Sequence, residues 1–100
     1  MKRGTTPTHT FTLPFDVSLV AKARILYSQN GAPVLTKEGS DITMVDNTLS
    51  VKLSQEETFK FDYNKYVEIQ VRVLTQTGEV LASNIVPVSV GQCLEEEVLV

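Results

Sequence analysis

The sequence predicts an all-β fold, an antiparallel immunoglobulin-like sandwich of about seven strands. Apolar residues recur at period two in segment after segment. The clearest case is "YVEIQVRVLTQ", where Val67, Ile69, Val71 and Val73 face one way and Glu68, Gln70 and Arg72 the other. These segments are short, and turn formers separate them: Asn30-Gly31, Asp46-Asn47, Asn64-Lys65 and Thr77-Gly78. No stretch sustains the 3.6-residue apolar period of a long helix. Half-apolar sheets must cover one another, which favours the sandwich, with a small Greek-key barrel as the competing architecture. The Cys–Trp–Cys core of antibody domains is excluded, because the chain has one cysteine and no tryptophan.

The elements follow in order. In "THTFTLPF", Phe11, Leu13 and Phe15 share one face, and Pro14, lacking an amide proton, places this strand at an edge or ends it. "VAKARILYSQ" sets Ala21, Ala23, Ile25 and Tyr27 against Lys22, Arg24 and Ser28. Asn30-Gly31 then signals a tight hairpin, since both residues accept positive φ. "VLTKEG" returns as a short strand ending at Gly39. "DITMV" is another, with Ile42 and Met44, or Thr43 and Val45, facing in. After the turn at Asp46-Asn47, "TLSVKLS" alternates cleanly with Leu49, Val51 and Leu53 inward.

"SQEET" raises a local conflict. Ser54 and Glu57 fit a capping box, which starts a helix. Yet residues 58–63 carry apolar side chains at period two, not 3.6. A single helical turn that carries the chain from one sheet to the other resolves the conflict, with Phe59 and Phe61 plugging the core beneath it. The long strand from Tyr66 follows. "EVLASNIVPVSV" returns, and its inward set changes phase between Ala82 and Ile85, which predicts a β-bulge near Ser83-Asn84.

One hundred residues make a single domain over 1–100, with an N-terminal arm over 1–8 and a C-terminal tail over 91–100. Nine basic and twelve acidic residues give a net charge of -3, which argues against nucleic acid as a partner. Cys93 stands alone, so it forms no disulfide within the chain. The start, Met-Lys-Arg-Gly-Thr-Thr-Pro, lacks the apolar stretch of a secretory signal. No apolar run approaches the roughly 20 residues of a membrane span, so no membrane partner is expected.

Candidate chemistry is sparse. His9 is the only histidine, and no glycine-flanked serine accompanies it and Asp16 as a hydrolytic set. A thiol–imidazole pair of Cys93 and His9 is no better supported. Glu56 and Glu57 suit a helix start without catalysis. Asp41, Asp46 and Asn47 are turn formers without a calcium-loop pattern, and no glycine-rich phosphate loop is present. The expectation is no enzyme, no cofactor and no metal. Of the aromatic residues, only Tyr63 and Tyr66 fall on outward phases, so a glycan partner has little support beyond those two. The tail "CLEEEVLV" places Leu94, Val98, Leu99 and Val100 where a solvated end is normally polar. Candidate contact residues are therefore Tyr63, Tyr66, Leu94, Val98 and Leu99. The polar, β-prone arm is a segment suited to lie along another subunit's edge.

The run "LSQEETFKF…YVEIQVRVLTQTGEVLASNIVPVSV" resembles the amino-terminal β-sandwich domain of bacteriophage baseplate and tail-fibre-associated proteins of Gram-positive hosts. The likeness lies in the Leu-Ser-x-Glu-Glu-Thr turn (53–58), the "IQVRV" strand (69–73), Gly78 and "ASNI" (82–85). The opening "RGTTPTHTFTLPFD" is similar to the start of short prophage-encoded proteins of gut Firmicutes. The resemblance implies a non-catalytic virion structural or assembly module made in the bacterial cytoplasm and carried in the virion. Its implied partners are other virion subunits or copies of itself, in an oligomer. A carbohydrate- or protein-binding immunoglobulin-like module is the alternative.

Overall fold

In the computed structural model, which describes residues 1–100, the alternating segments form two antiparallel sheets. Their strands are β1 (Thr8–Thr12), β2 (Val20–Gln29), β3 (Ala32–Glu38), β4 (Ile42–Val45) and β5 (Thr48–Lys52). After a single helical turn, α1 (Gln55–Thr58), come β6 (Tyr66–Thr75), β7 (Val80–Ala82) and β8 (Val86–Ser89). One sheet has the order β1-β5-β4. The other runs β3-β2-β6, with β7 and β8 both pairing the far edge of β6.

This order is the immunoglobulin layout. There, E lies between B and D in one sheet, and F lies between C and G in the other, with C′ added beside C in variable-type domains. Here β5 separates β1 from β4, and β6 separates β2 from β7–β8, with β3 beside β2. The strand that would precede B and flank it, strand A, has no counterpart beside β1. Two separate sheets also decide against the closed barrel.

The core is the set of residues at alternate positions. Leu49, Val51 and Leu53 are inaccessible or nearly so, as are Val67, Ile25, Tyr27 and Phe61. Burying such side chains contributes about 1.5–3 kcal/mol each. Both hairpin turns form as their residues dictate: Asn30 and Gly31 take φ of 52° and 77°, and Asp46 takes 53°.

The predicted bulge is also present. Arg72 pairs Ala82 and Ile69 pairs Val86, so residues 70 and 71 face residues 83, 84 and 85, two against three. Ser83 holds the irregularity: its amide donates to the Val71 carbonyl at 2.9 Å, and its hydroxyl accepts from the Val71 amide at 3.0 Å. The bulge divides one strand into β7 and β8, which makes eight segments of seven strands.

Several expectations need correction. Ala21 is exposed and Val20 buried, because a register shift between Val20 and Lys22 rotates the start of β2. Thr58 ends α1 and residues 59–63 form turns, not a strand; of the two phenylalanines only Phe61 reaches the core. Phe59 lies under the N-terminal arm, where a Cβ on Gly4 would come within 2.6 Å of its ring. The Arg3 guanidinium stacks 5.5 Å above that ring and donates to the Phe59 carbonyl at 3.0 Å. The arm therefore packs on its own domain rather than extending to a neighbour. Arg3 N–H donates to Gly91 and Gly91 N–H to Met1, a short parallel bridge. The arm also ends at residue 7, since Thr8 begins β1. No helix is long and apolar enough to cross a membrane.

Candidate functional site

Two places on the sandwich carry more than ordinary surface: a polar corner around α1, and an apolar groove on the opposite flank.

The corner is built by the capping box. Ser54 caps α1 by accepting from the Glu57 amide at 3.2 Å, and the Glu57 carboxylate accepts from the Ser54 amide at 2.8 Å. The other carboxylate oxygen of Glu57 pairs with Lys37 Nζ of β3 at 2.5 Å, with both side chains largely buried. Burial alone would raise the Glu57 carboxyl; the Lys37 ammonium and the Ser54 amide outweigh it and hold the group below its usual value. Tyr27 on β2 shares a 2.8 Å hydrogen bond with His9 Nδ1 on β1, across the two sheets. Burial, together with the Glu57 charge, pushes the Tyr27 phenol up, so it stays protonated. Burial, helped by the amino-terminal charge, holds the His9 imidazole below its usual value. Behind them, the Gln29 side-chain amide pairs with the Asp62 backbone in both directions, at 3.0 and 2.8 Å, and fixes the loop that delivers Phe61.

Chemically, these groups are consumed by one another. The Tyr27 hydroxyl faces His9, while Glu57 is engaged by Lys37 and the Ser54 amide. Asp16 stands apart and caps a short 3-10 turn through the Ser18 amide at 2.8 Å. Cys93 is half-buried in the tail. No group of three His, Cys, Asp or Glu side chains is placed to hold a metal ion. The geometry is that of a structural clamp between sheets.

The groove has the opposite character. It is a trough of about 700 Å³ walled by Phe11, Leu13 and Phe15 from β1 and its extension, and floored by β6 and β7–β8. None of its fourteen lining residues is charged. Leu81 pairs Val73 and Val86 pairs Ile69, and cross-strand partners share a face. Val73 and Ile69 are each 3% exposed, whereas Leu81 is 41% and Val86 48% exposed. Leu81 and Val86 therefore point between the sheets but are only partly covered there. The five-stranded sheet extends one strand beyond β1, and the three-stranded sheet stops short.

The contact residues read from the sequence lie elsewhere, and apart. Tyr66 opens β6 and is 65% exposed; Tyr63 precedes it on a turn. Leu94 is fully exposed, Val98 is half-buried, and Leu99 is tied to its own domain by two hydrogen bonds with the Gln55 side chain, at 2.7 and 2.9 Å. Arg3 pairs with Glu96 at 2.6 Å and holds the same tail. The groove and the Lys37–Glu57 pair were missed in the sequence. For the groove a signal was present: from 5 to 15 the chain has no charged side chain apart from titratable His9.

The class defined by strand order and core is the immunoglobulin-like β-sandwich. No family model and no curated protein matches the chain. Among solved structures, the V domain of amphioxus IgVJ-C2 is similar over 90% of this chain and 96% of that one, at 14% identity and a TM-score of 0.35.

Proposed function

We propose that this protein is a non-catalytic interaction module that works by packing against other proteins, as a structural or assembly subunit of a phage or prophage particle. The observation that carries the first part is the uncovered inner face of β7–β8. Half-exposed Leu81 and Val86 beside an uncharged wall form an apolar surface of the kind that protein partners cover. The virion assignment rests on the sequence resemblance over 53–58, 69–73 and 82–85. Its partners are other virion subunits or copies of this chain. Size-exclusion chromatography with light scattering, alongside immunodetection in purified particles, tests it. An oligomer, or protein in particles, supports the reading; a strict monomer absent from particles overturns it.

A second reading is a glycan- or protein-binding module acting through Tyr63 and Tyr66, favoured by the exposure of both rings. A reproducible hit on a glycan array, lost in Tyr66→Ala, would replace the first reading with this one.

A further inference from the structure

The groove has one wall that is also a hydrogen-bonding edge. Leu53 N–H donates to the Pro7 carbonyl at 2.9 Å, and Leu13 N–H donates to the Asn47 carbonyl at 2.7 Å. Both contacts belong to the β1–β5 register, in which Thr8 pairs Lys52 and Thr12 pairs Thr48. In an antiparallel ladder, alternate residues address the partner strand. Residues 7, 9, 11 and 13 therefore point their backbone groups at β5, and Thr8, Thr10 and Thr12 point theirs away. β1 pairs no other strand, so these three N–H and three C=O groups form an open edge. Natural edges are blunted by lysine, proline or bulges. Pro7 and Pro14 bracket this one but leave 8–12 unguarded.

We infer that β1 accepts an extended strand donated by another polypeptide, antiparallel or parallel to it, in the empty position that strand A would fill. The inference rests on the reading of the protein as an interaction module and names the form its partner takes. Three features define that partner. It hydrogen-bonds as a strand, because the edge offers alternating donors and acceptors at strand spacing. It is apolar at every second position, because only one face of the added strand looks into the trough. Those inward side chains are uncharged, because the lining has no charge to pair with a buried ion.

The donor is also a lone segment, not the edge of a second folded sandwich. Strands stand about 4.8 Å apart in a sheet. If β1 of another copy paired with this β1 about a two-fold axis, its own β6 would stand beneath it. That space is already filled by β7 and β8, which overhang β1 by one strand. The chain's own tail does not suit the trough either. With Val98 and Val100 inward Glu96 is inward too, and with Leu99 inward Glu95 and Glu97 are.

The test uses the whole protein, isotopically labelled, and the peptide acetyl-TVTVTVTVT-amide as probe. Saturating peptide should slow amide exchange at Thr8, Thr10 and Thr12 by roughly tenfold or more, with His9 and Phe11, already bonded to β5, changing least. A glutamate-for-valine peptide should leave all five unchanged. Thr10→Pro removes an outward N–H without touching the β5 ladder, and Leu81→Asp charges the floor at an exposed position. Each should weaken peptide binding at least tenfold, and the second serves if the first fails to fold. Unchanged exchange at about 1 mM peptide overturns the inference, as does binding undiminished in both variants. A dimer of the protein alone that Thr10→Pro dissolves also overturns it, since the occupant is then a folded copy. If the protein joins particles or oligomers and both variants do so equally well, the strand-acceptor inference fails while the interaction-module reading stands.

Discussion

The α1 corner and the β1 flank are made from the same two sheets, yet one is closed and the other open. At the corner, side chains from β1, β2, β3 and α1 meet: His9 on Tyr27, Lys37 on Glu57, and Phe61 5.9 Å from the Tyr27 ring. His9 with Tyr27, Lys37 with Glu57 and Gln29 with the Asp62 backbone are each paired there, which is the condition under which burial stabilises instead of costing. At the β1 flank the same alternation continues through Leu81 and Val86, but the upper sheet ends one strand early. Identical patterning thus gives core where a second layer exists and surface where it does not.

The closed corner is most vulnerable at Phe61. Phe61→Ala should cost about 3–5 kcal/mol in denaturant unfolding, because its fully buried ring leaves a cavity under the corner. A cost below about 1 kcal/mol would show that the corner does not anchor the fold. Glu57→Gln should come next, at about 2 kcal/mol, since it leaves the Lys37 ammonium buried without its counter-ion. The paired variant Lys37→Met/Glu57→Gln should recover part of that loss; a double variant worse than the sum of the singles would refute the pairing.

Acid should loosen the corner before the groove, and the sign follows from the two lowered groups. His9 titrates lower in the folded protein than in the unfolded chain, so the unfolded chain takes up the proton first. Its contribution is complete above about pH 6.5 and is lost as pH falls through that value towards the folded one. Glu57, also lowered, adds a second loss below about pH 4.3. The unfolding midpoint of the wild type should therefore fall from about pH 7.5 to about pH 5.5. In His9→Gln that difference should shrink, and an unchanged difference would mean that His9 does not cause it.

The smallest effect sharpens the contrast. Val86→Thr, nearly isosteric and half-exposed on the groove floor, should change stability by no more than about 0.5 kcal/mol. The same change at Val51, 1% exposed between β1 and β4, should cost about 1–3 kcal/mol by burying a hydroxyl. Equal losses at both positions would mean that the groove is closed in solution.

Much of this molecule can be read along the chain. Period-two patterning located β5 and β6 with their buried faces, and β2 with its own from Ala23 onward, and Asn30-Gly31 and Asp46-Asn47 marked two hairpins. The phase change at Ser83-Asn84 located a bulge, and Ser54 with Glu57 located the one α-helical turn. Where reading failed, non-local contacts had decided. Phe59 and Phe61 lie two apart and look alike, but Arg3 and Gly4 cover the first while Gln29 and Tyr27 hold the second. The arm shows no sign along its own length of its bridge to Gly91, a partner far away in the sequence.

By itself, then, the sequence determined which residues share a face along most of β2, β5 and β6, because side-chain alternation is a property of the local backbone; it left the face of β4 open, and a register shift overrode it at the start of β2. Which faces are covered was decided only by the tertiary structure. Coverage depends on how many strands each sheet holds and where each one stops. Three strands over five leave Leu81 and Val86 inward-facing and half exposed, a consequence of the difference in width between the two layers.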